Sequence, residues 1–379
     1  MEFTFQHDSA RIRLAHQRLK AAYKLEPGAE TPVVEPGGYA RQHCFQELFA
    51  DLDKMLDHAV RWANAMAATG SDWPPFIDTY CGVVMVAEAF GCEVVFTPGS
   101  DPWTRSAVPD LNHVWNLKPK KLEETPTIRR LSEWVDYAQR KIGTDLPIWT
   151  MDVQSPFSVA ARVVESTELL IGCITDPKAV HHLCDMITDY SIEMIRRHLA
   201  QMEHPGFPGR NFPSISEDIG ICIADDTPLI MLSPQMYREF ALPYNSRIGE
   251  AFGGVHLHSC GDYRANLDNT LDIKNLRSIQ LHAGQGEFPL PESSAEDCPF
   301  NRARGRVAML VDTNGIARAD AYRNRPREHY AEYVLPRLLN GSMDGVILQS
   351  CAPGGDMPDL PAALEWTRRQ VKNGRGAVD

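Results

Sequence analysis

Seven short apolar runs, most of them separated by helix-sized segments, constrain this chain more than any other feature. They cover residues 75–80, 148–153, 219–224, 255–260, 279–282, 307–311 and 346–348. Runs of this length alternating with helical segments indicate a parallel sheet whose strands are joined by crossover helices. The count lies close to the eight strands of a closed barrel. The expected fold is therefore α/β, a (β/α)8 TIM-type barrel. Residues 1–70 form an N-terminal helical extension packed on it, and residues 71–379 form the barrel as a single structural unit.

Helix signals support this reading. Apolar and small residues at helical spacing (Ile12, Leu14, Ala15, Leu19, Ala22) predict a helix over about 9–24. Phe49, Leu52, Met55, Leu56, Ala59, Trp62 and Met66 share one face of a helix expected from Phe45 to about Ala68, which ends at Gly70. Ser155-Pro156, Asp176-Pro177 and Ser233-Pro234 each pair a capping side chain with a proline suited to the first helical position. They open helices expected to reach Cys173, about Met202 and Phe252. The proline-bearing stretch 97–124 shows little periodicity and reads as a long loop or lid.

The chain's 379 residues, 43% of them hydrophobic, suffice for a full core without staples. A formal charge of −12 with scattered basic residues argues against nucleic acid or an anionic membrane as partner. No stretch approaches the ~18 apolar residues of a membrane span, and the first residues carry no apolar signal core, so a cytoplasmic location is expected. Nine irregularly spaced cysteines fit reduced thiols rather than a disulfide framework.

The chemistry concentrates at strand ends. In Val255-His256-Leu257-His258-Ser259-Cys260-Gly261, residues two apart leave the same face of a strand, so His258 and Cys260 point together. Cys351 ends another apolar run before Ala352-Pro353-Gly354-Gly355. One nitrogen and two sulfurs suit Zn²⁺, and three protein ligands with a free fourth position characterise catalytic zinc. Each cysteine taken alone also reads as a small buried hydrophobe. His256 reads as a packed histidine behind the ligand. Other strand ends present Asp78, Tyr80, Asp152, Gln154, Asp225, Asp226, His282, Asp312 and Asn314. Of these, His282, Asp152 and Asp312 are the candidates for proton handling or substrate orientation.

The segments Ser233-Pro234-Gln235-Met236-Tyr237-Arg238-Glu239-Phe240-Ala241-Leu242-Pro243-Tyr244 and His258-Ser259-Cys260-Gly261 resemble the uroporphyrinogen decarboxylase superfamily. So do Gln154-Ser155-Pro156-Phe157-Ser158-Val159-Ala160 and Asp176-Pro177-Lys178-Ala179-Val180-His181. Within the superfamily the chain looks most like the zinc-dependent, corrinoid-linked methyltransferases typified by methylcobamide:coenzyme M methyltransferases. The resemblance implies zinc held by His258, Cys260 and Cys351, and a corrinoid (cobalamin) carried by a partner protein. Nothing between residues 20 and 50 matches the arginine-rich propionate-binding stretch of the decarboxylases. The expected activity is transfer of a methyl group from a small methylated, methoxylated substrate to the corrinoid cobalt. Trp103 and Trp115 are read as part of an apolar substrate pocket or lid, or else as packing for the outer helices. The reverse half-reaction onto a thiol or pterin, a non-catalytic binding barrel and a metal-independent decarboxylase remain alternatives. A homodimer is compatible with any of them.

Overall fold

The structure, a computed structural model, describes residue 5 and residues 8–35, 42–143, 145–282, 298–312, 325–350 and 359–375. Its strands are β1 (Val33–Val34), β2 (Glu93–Val95), β3 (Trp103–Arg105), β4 (Ile148–Trp149) and β5 (Pro205–Gly206). They continue with β6 (Ile221–Ala224), β7 (Val255–His258), β8 (Leu276–His282), β9 (Ala308–Asp312) and β10 (Val346–Gln349). Six of them form one parallel sheet in the order β1-β10-β9-β8-β7-β6.

Backbone bonds carry the ring onward. Ala224 bridges Gln154, β4 pairs in parallel with β5, and Trp149 N–H donates to the Ile77 carbonyl at 2.9 Å. On the far side, Asp72 N–H donates to the Val33 carbonyl at 3.0 Å. The ring thus takes in the seven expected positions, the first through a single bridge at Ile77, and, besides β1, a strand at β5 that the expected runs did not include. That strand escapes sequence reading because His204-Pro205-Gly206-Phe207-Pro208-Gly209 is punctuated by breakers. Val33–Val34 is also a strand, set between prolines at 32 and 36.

Alternation along the strands separates two apolar layers. Ile221, Ile223, Met309, Val311, Val346 and Leu348 face the helices, whereas Cys222, Leu310 and Ile347 pack with Phe76, Trp149 and Phe212 inside the ring. The three Ser/Asp-Pro signals hold: Ser155, Asp176 and Ser233 side chains accept from Ser158, Ala179 and Met236 N–H, at 3.2–3.3 Å. Three expected helices are each split in two. Phe45–Ala50 and Leu52–Ala68 meet at Asp51, whose carboxylate caps the second. Pro156–Val163 stops where Val163 and Val164 pair with residues 107–108, and Pro234–Phe240 gives way at Ala241 to Leu242–Ala251. The stretch 97–124 is not one long loop: β3 pairs antiparallel with β2, and 3-10 turns cover Leu111–Asn116 and Leu122–Glu124. Among the described residues, no helix is long and apolar enough to cross a membrane.

Candidate metal centre

His258 is the last residue of β7, and its carbonyl accepts from Asp225 N–H at 2.9 Å, which fixes the neighbouring end of β6. Helix Asp226–Met231 starts at that point and brings the Asp226 carboxylate across to the loop after β7, where it accepts from Cys260 N–H at 2.6 Å. Cys260 Sγ lies 3.2 Å from His258 Nε2. Donor atoms of Asp226, His258 and Cys260 all fall within 4.8 Å of one another, at the C-terminal end of the strands. Gly261 packs closely beside them: a Cβ there would stand 2.2 Å from Ile230 Cδ1 and would displace that side chain.

The cysteines sort by environment. Of the eight described, Cys260 is exposed and Cys44 half-buried, while the other six are buried. Burial raises the thiols of Cys81 and Cys173 to about 12 and that of Cys92 to about 11, so these three are held neutral. Cys351 and Asn314 lie outside the described residues. His282 is the terminal residue of β8, in register with Asp312 on β9.

Gln280 links the metal donors to Asp312. Its Nε2 donates to Asp312 Oδ2 at 2.6 Å, and its Oε1 meets His258 Nδ1. Behind them His256 is fully buried, with Nδ1 2.6 Å from Ser278 Oγ and Nε2 2.9 Å from the Ile219 carbonyl. Burial lowers its pKa to about 3, so it is a neutral packing histidine.

The second charged group of the mouth centres on Arg210, which follows β5. Its guanidinium contacts Asp78 at 3.1 Å and Asp152 at 3.5 Å and lies 3.6 Å above the Tyr80 ring. Burial opposes the cation, but Asp78, Asp152 and Tyr80 hold its pKa above the ordinary value. Burial raises Asp152, against the pull of Arg210 and of the Gln154 amide 2.9 Å away. Gly209 permits this turn: its φ is +99°, and a Cβ would overlap Thr150 Oγ1 at 1.7 Å. Glu35, just beyond β1, accepts from Ser350 Oγ at 3.0 Å, and burial lifts its carboxyl to about 7.

A cavity of about 250 Å³ joins these groups, lined by Trp62, Trp73, Trp149, Arg210, Asn211, His258, Gln280, Leu310, Asp312 and Gln349. Its tryptophans are not those singled out from the sequence. Trp103 lies half-exposed on β3, and Trp115 stacks on His182 with ring centroids 4.5 Å apart. Of the expected catalytic residues, Asp312 lines the cavity and Asp152 reaches it through Arg210. Sequence reading missed Arg210, Gln280 and Glu35 as site residues, and took Asp226 as a strand-end polar group without assigning it to the metal. Their only sequence signal is a polar residue on or beside an apolar run, which any strand boundary also shows.

The family model described as uroporphyrinogen decarboxylase (URO-D) matches residues 76–202. A uroporphyrinogen decarboxylase of Xanthomonas campestris pv. campestris (strain B100) is 24% identical over 241 residues, covering 61% of this chain and 60% of the relative. The corresponding protein of Xanthomonas axonopodis pv. citri is 25% identical over 175 residues, covering 45% and 44%. The chain therefore spans about 60% or less of the length of these curated relatives. A solved methyltransferase from Methanosarcina mazei superposes with a TM-score of 0.65 at 18% identity, covering 94% of this chain and 99% of that one. Residues 76–202 are thus similar to the uroporphyrinogen decarboxylase family, and the chain as a whole shares its fold with the Methanosarcina mazei methyltransferase.

Proposed function

We propose that this chain is a zinc-dependent methyltransferase that takes the methyl group of a small methoxylated compound and delivers it to the cobalt of a corrinoid protein. The observation that supports this most is the convergence of Asp226, His258 and Cys260 at the open end of the barrel. One imidazole, one thiol and one carboxylate suit a borderline cation such as Zn²⁺, and Cys351 is the further sulfur donor in this reading. Bound zinc would act as a Lewis acid, polarising the oxygen from which the methyl group departs.

The other side chains bind and orient. Trp62, Trp73 and Trp149 offer apolar walls to the body of a substrate and exclude water from it. Arg210 and Asn211 supply donors for its polar substituents, while Asp78 and Asp152 hold the guanidinium in place. Ile230, beside Gly261, and its chain neighbour Met231 stand 49% and 58% exposed, an apolar rim on which a corrinoid protein can seat its cobalt near the metal.

Elemental analysis of protein purified without chelators tests the metal. The expected result is about one zinc per chain, lost in Cys260→Ser and Cys351→Ser. Demethylation of methoxylated aromatic compounds with Co(I) cobalamin as acceptor then tests the reaction. Absence of zinc from the wild type, or zinc untouched by both substitutions, would overturn the site. Thiol methylation from methylcobalamin, without ether cleavage, would reverse the direction.

A further inference from the structure

The three residues Asp312, Gln280 and His258 stand on neighbouring parallel strands β9, β8 and β7, and their side chains make one unbroken line of hydrogen bonds. The line has a direction. An ionised carboxylate only accepts, so Asp312 Oδ2 takes an amide N–H of Gln280, at 2.6 Å. Once its nitrogen is committed to Asp312, Gln280 can present only Oε1 to His258, and an oxygen acceptor there requires the imidazole proton to sit on Nδ1. The lone pair is then left on Nε2, the atom 3.2 Å from Cys260 Sγ.

The amide is not free to turn over. Gln280 and Asp312 lie in the cavity wall but are each only 6% exposed, so their mutual bond is largely shielded from water. Tyr263 O–H donates to the Gln280 main-chain carbonyl and pins the strand at this residue. Reversing the amide would set its N–H against His258 and its oxygen against the Asp312 carboxylate, two acceptors face to face in a buried site.

We infer that Gln280 and Asp312 are positioning residues that together lock His258 as the Nδ1–H tautomer and keep its Nε2 lone pair aimed at a metal ion beside Cys260. The inference rests on the metal reading above, but its first half concerns the metal-free protein. It gives Asp312, expected from sequence to handle protons or orient substrate, the role of orienting a metal-binding imidazole through a neutral amide.

The test has two readouts on the full chain. Nitrogen-15 NMR of the imidazoles in zinc-depleted protein should show His258 protonated at Nδ1, and this signature should be lost in Gln280→Leu. Zinc affinity, measured by competition with a chromophoric chelator, should fall roughly 10- to 100-fold in Gln280→Leu. Thermal unfolding of the metal-free variants identifies any that fail to fold.

A polarity exchange distinguishes orientation from packing. Gln280→Glu alone sets two carboxylates against each other and should weaken zinc binding. Combined with Asp312→Asn, it restores the alternation, because the new carboxylate accepts both from His258 Nδ1 and from the introduced amide. The pair should recover most of the lost affinity and the Nδ1–H signature. A proton on Nε2 in the metal-free wild type would overturn the inference. So would wild-type zinc affinity in Gln280→Leu, or an exchanged pair that binds no better than Gln280→Leu. If the wild type binds no zinc at all, the metal reading fails, and the tautomer measurement still decides the relay.

Discussion

Burial sets titratable side chains of opposite kind against one another. His256 and His198 are held neutral, with pKa values lowered to about 3 and about 4, while Asp225 is raised to about 7, in each case by desolvation first. Below pH 6.5 an unfolded chain protonates both histidines and the folded chain does not, so their contribution to stability is lost as pH falls. Asp225 works the other way. The folded chain keeps its proton up to about pH 7 and the unfolded chain sheds it near 4, so stability is lost as pH rises through that window. Asp225→Asn keeps an oxygen to accept from Tyr237 and Asn245 and removes this term. Its stability relative to wild type should rise between pH 4 and 7 by up to about 1.4 kcal/mol per pH unit. Urea unfolding at several pH values checks this, and parallel profiles would refute it. At this scale His258 and Cys260 were legible because a strand's period of two forces them to one side. Asp226 and Gln280 were not, because their roles depend on strands paired across gaps of more than twenty residues.

Capping signals made helix starts readable, since a cap is a local bond between residues two or three apart. What joins one element to another was not. Asp72, 3% exposed, accepts from Val33 N–H at 2.9 Å and pairs with Arg18 at 2.9 Å and Arg368 at 3.4 Å. One carboxylate therefore ties helix Ser9–Tyr23, β1 and helix Leu360–Arg375 together. Asp72→Ala should lower stability by about 2 kcal/mol, because it leaves the buried Val33 N–H without its acceptor and takes one partner from Arg18, which keeps Glu30, and from Arg368, which keeps the Gly70 carbonyl. Asp72→Asn, which keeps an oxygen toward Val33, should cost less. Denaturant midpoints of the two variants decide it, and equal small losses would mean that the junction bears little load. The two-residue strands β1 and β5 went unread for a related reason: both lie among prolines and neither sits in a longer apolar run such as the one at 148–153 that gave away β4.

Closing the ring gathers the polar strand ends into one mouth with an apolar edge. If a corrinoid protein docks there, Ile230→Glu combined with Met231→Glu should leave zinc content unchanged and cut methyl transfer to the protein-borne corrinoid roughly tenfold or more. Transfer to free cobalamin should be spared, whereas equal loss with both acceptors would place these residues in the chemistry instead. The sequence by itself determined the alternation of strands and helices, the Ser/Asp-Pro helix starts and the pairing of His258 with Cys260, all of which are encoded within a few residues. Only the tertiary structure decided that Asp226 joins them, that Trp62, Trp73 and Trp149 wall the cavity instead of Trp103 and Trp115, and that Arg210 is held by Asp78 and Asp152. The physical reason is that those contacts depend on the order and register in which parallel strands pair. That pairing is settled by burying two apolar layers at once, inside the ring and beneath the helices.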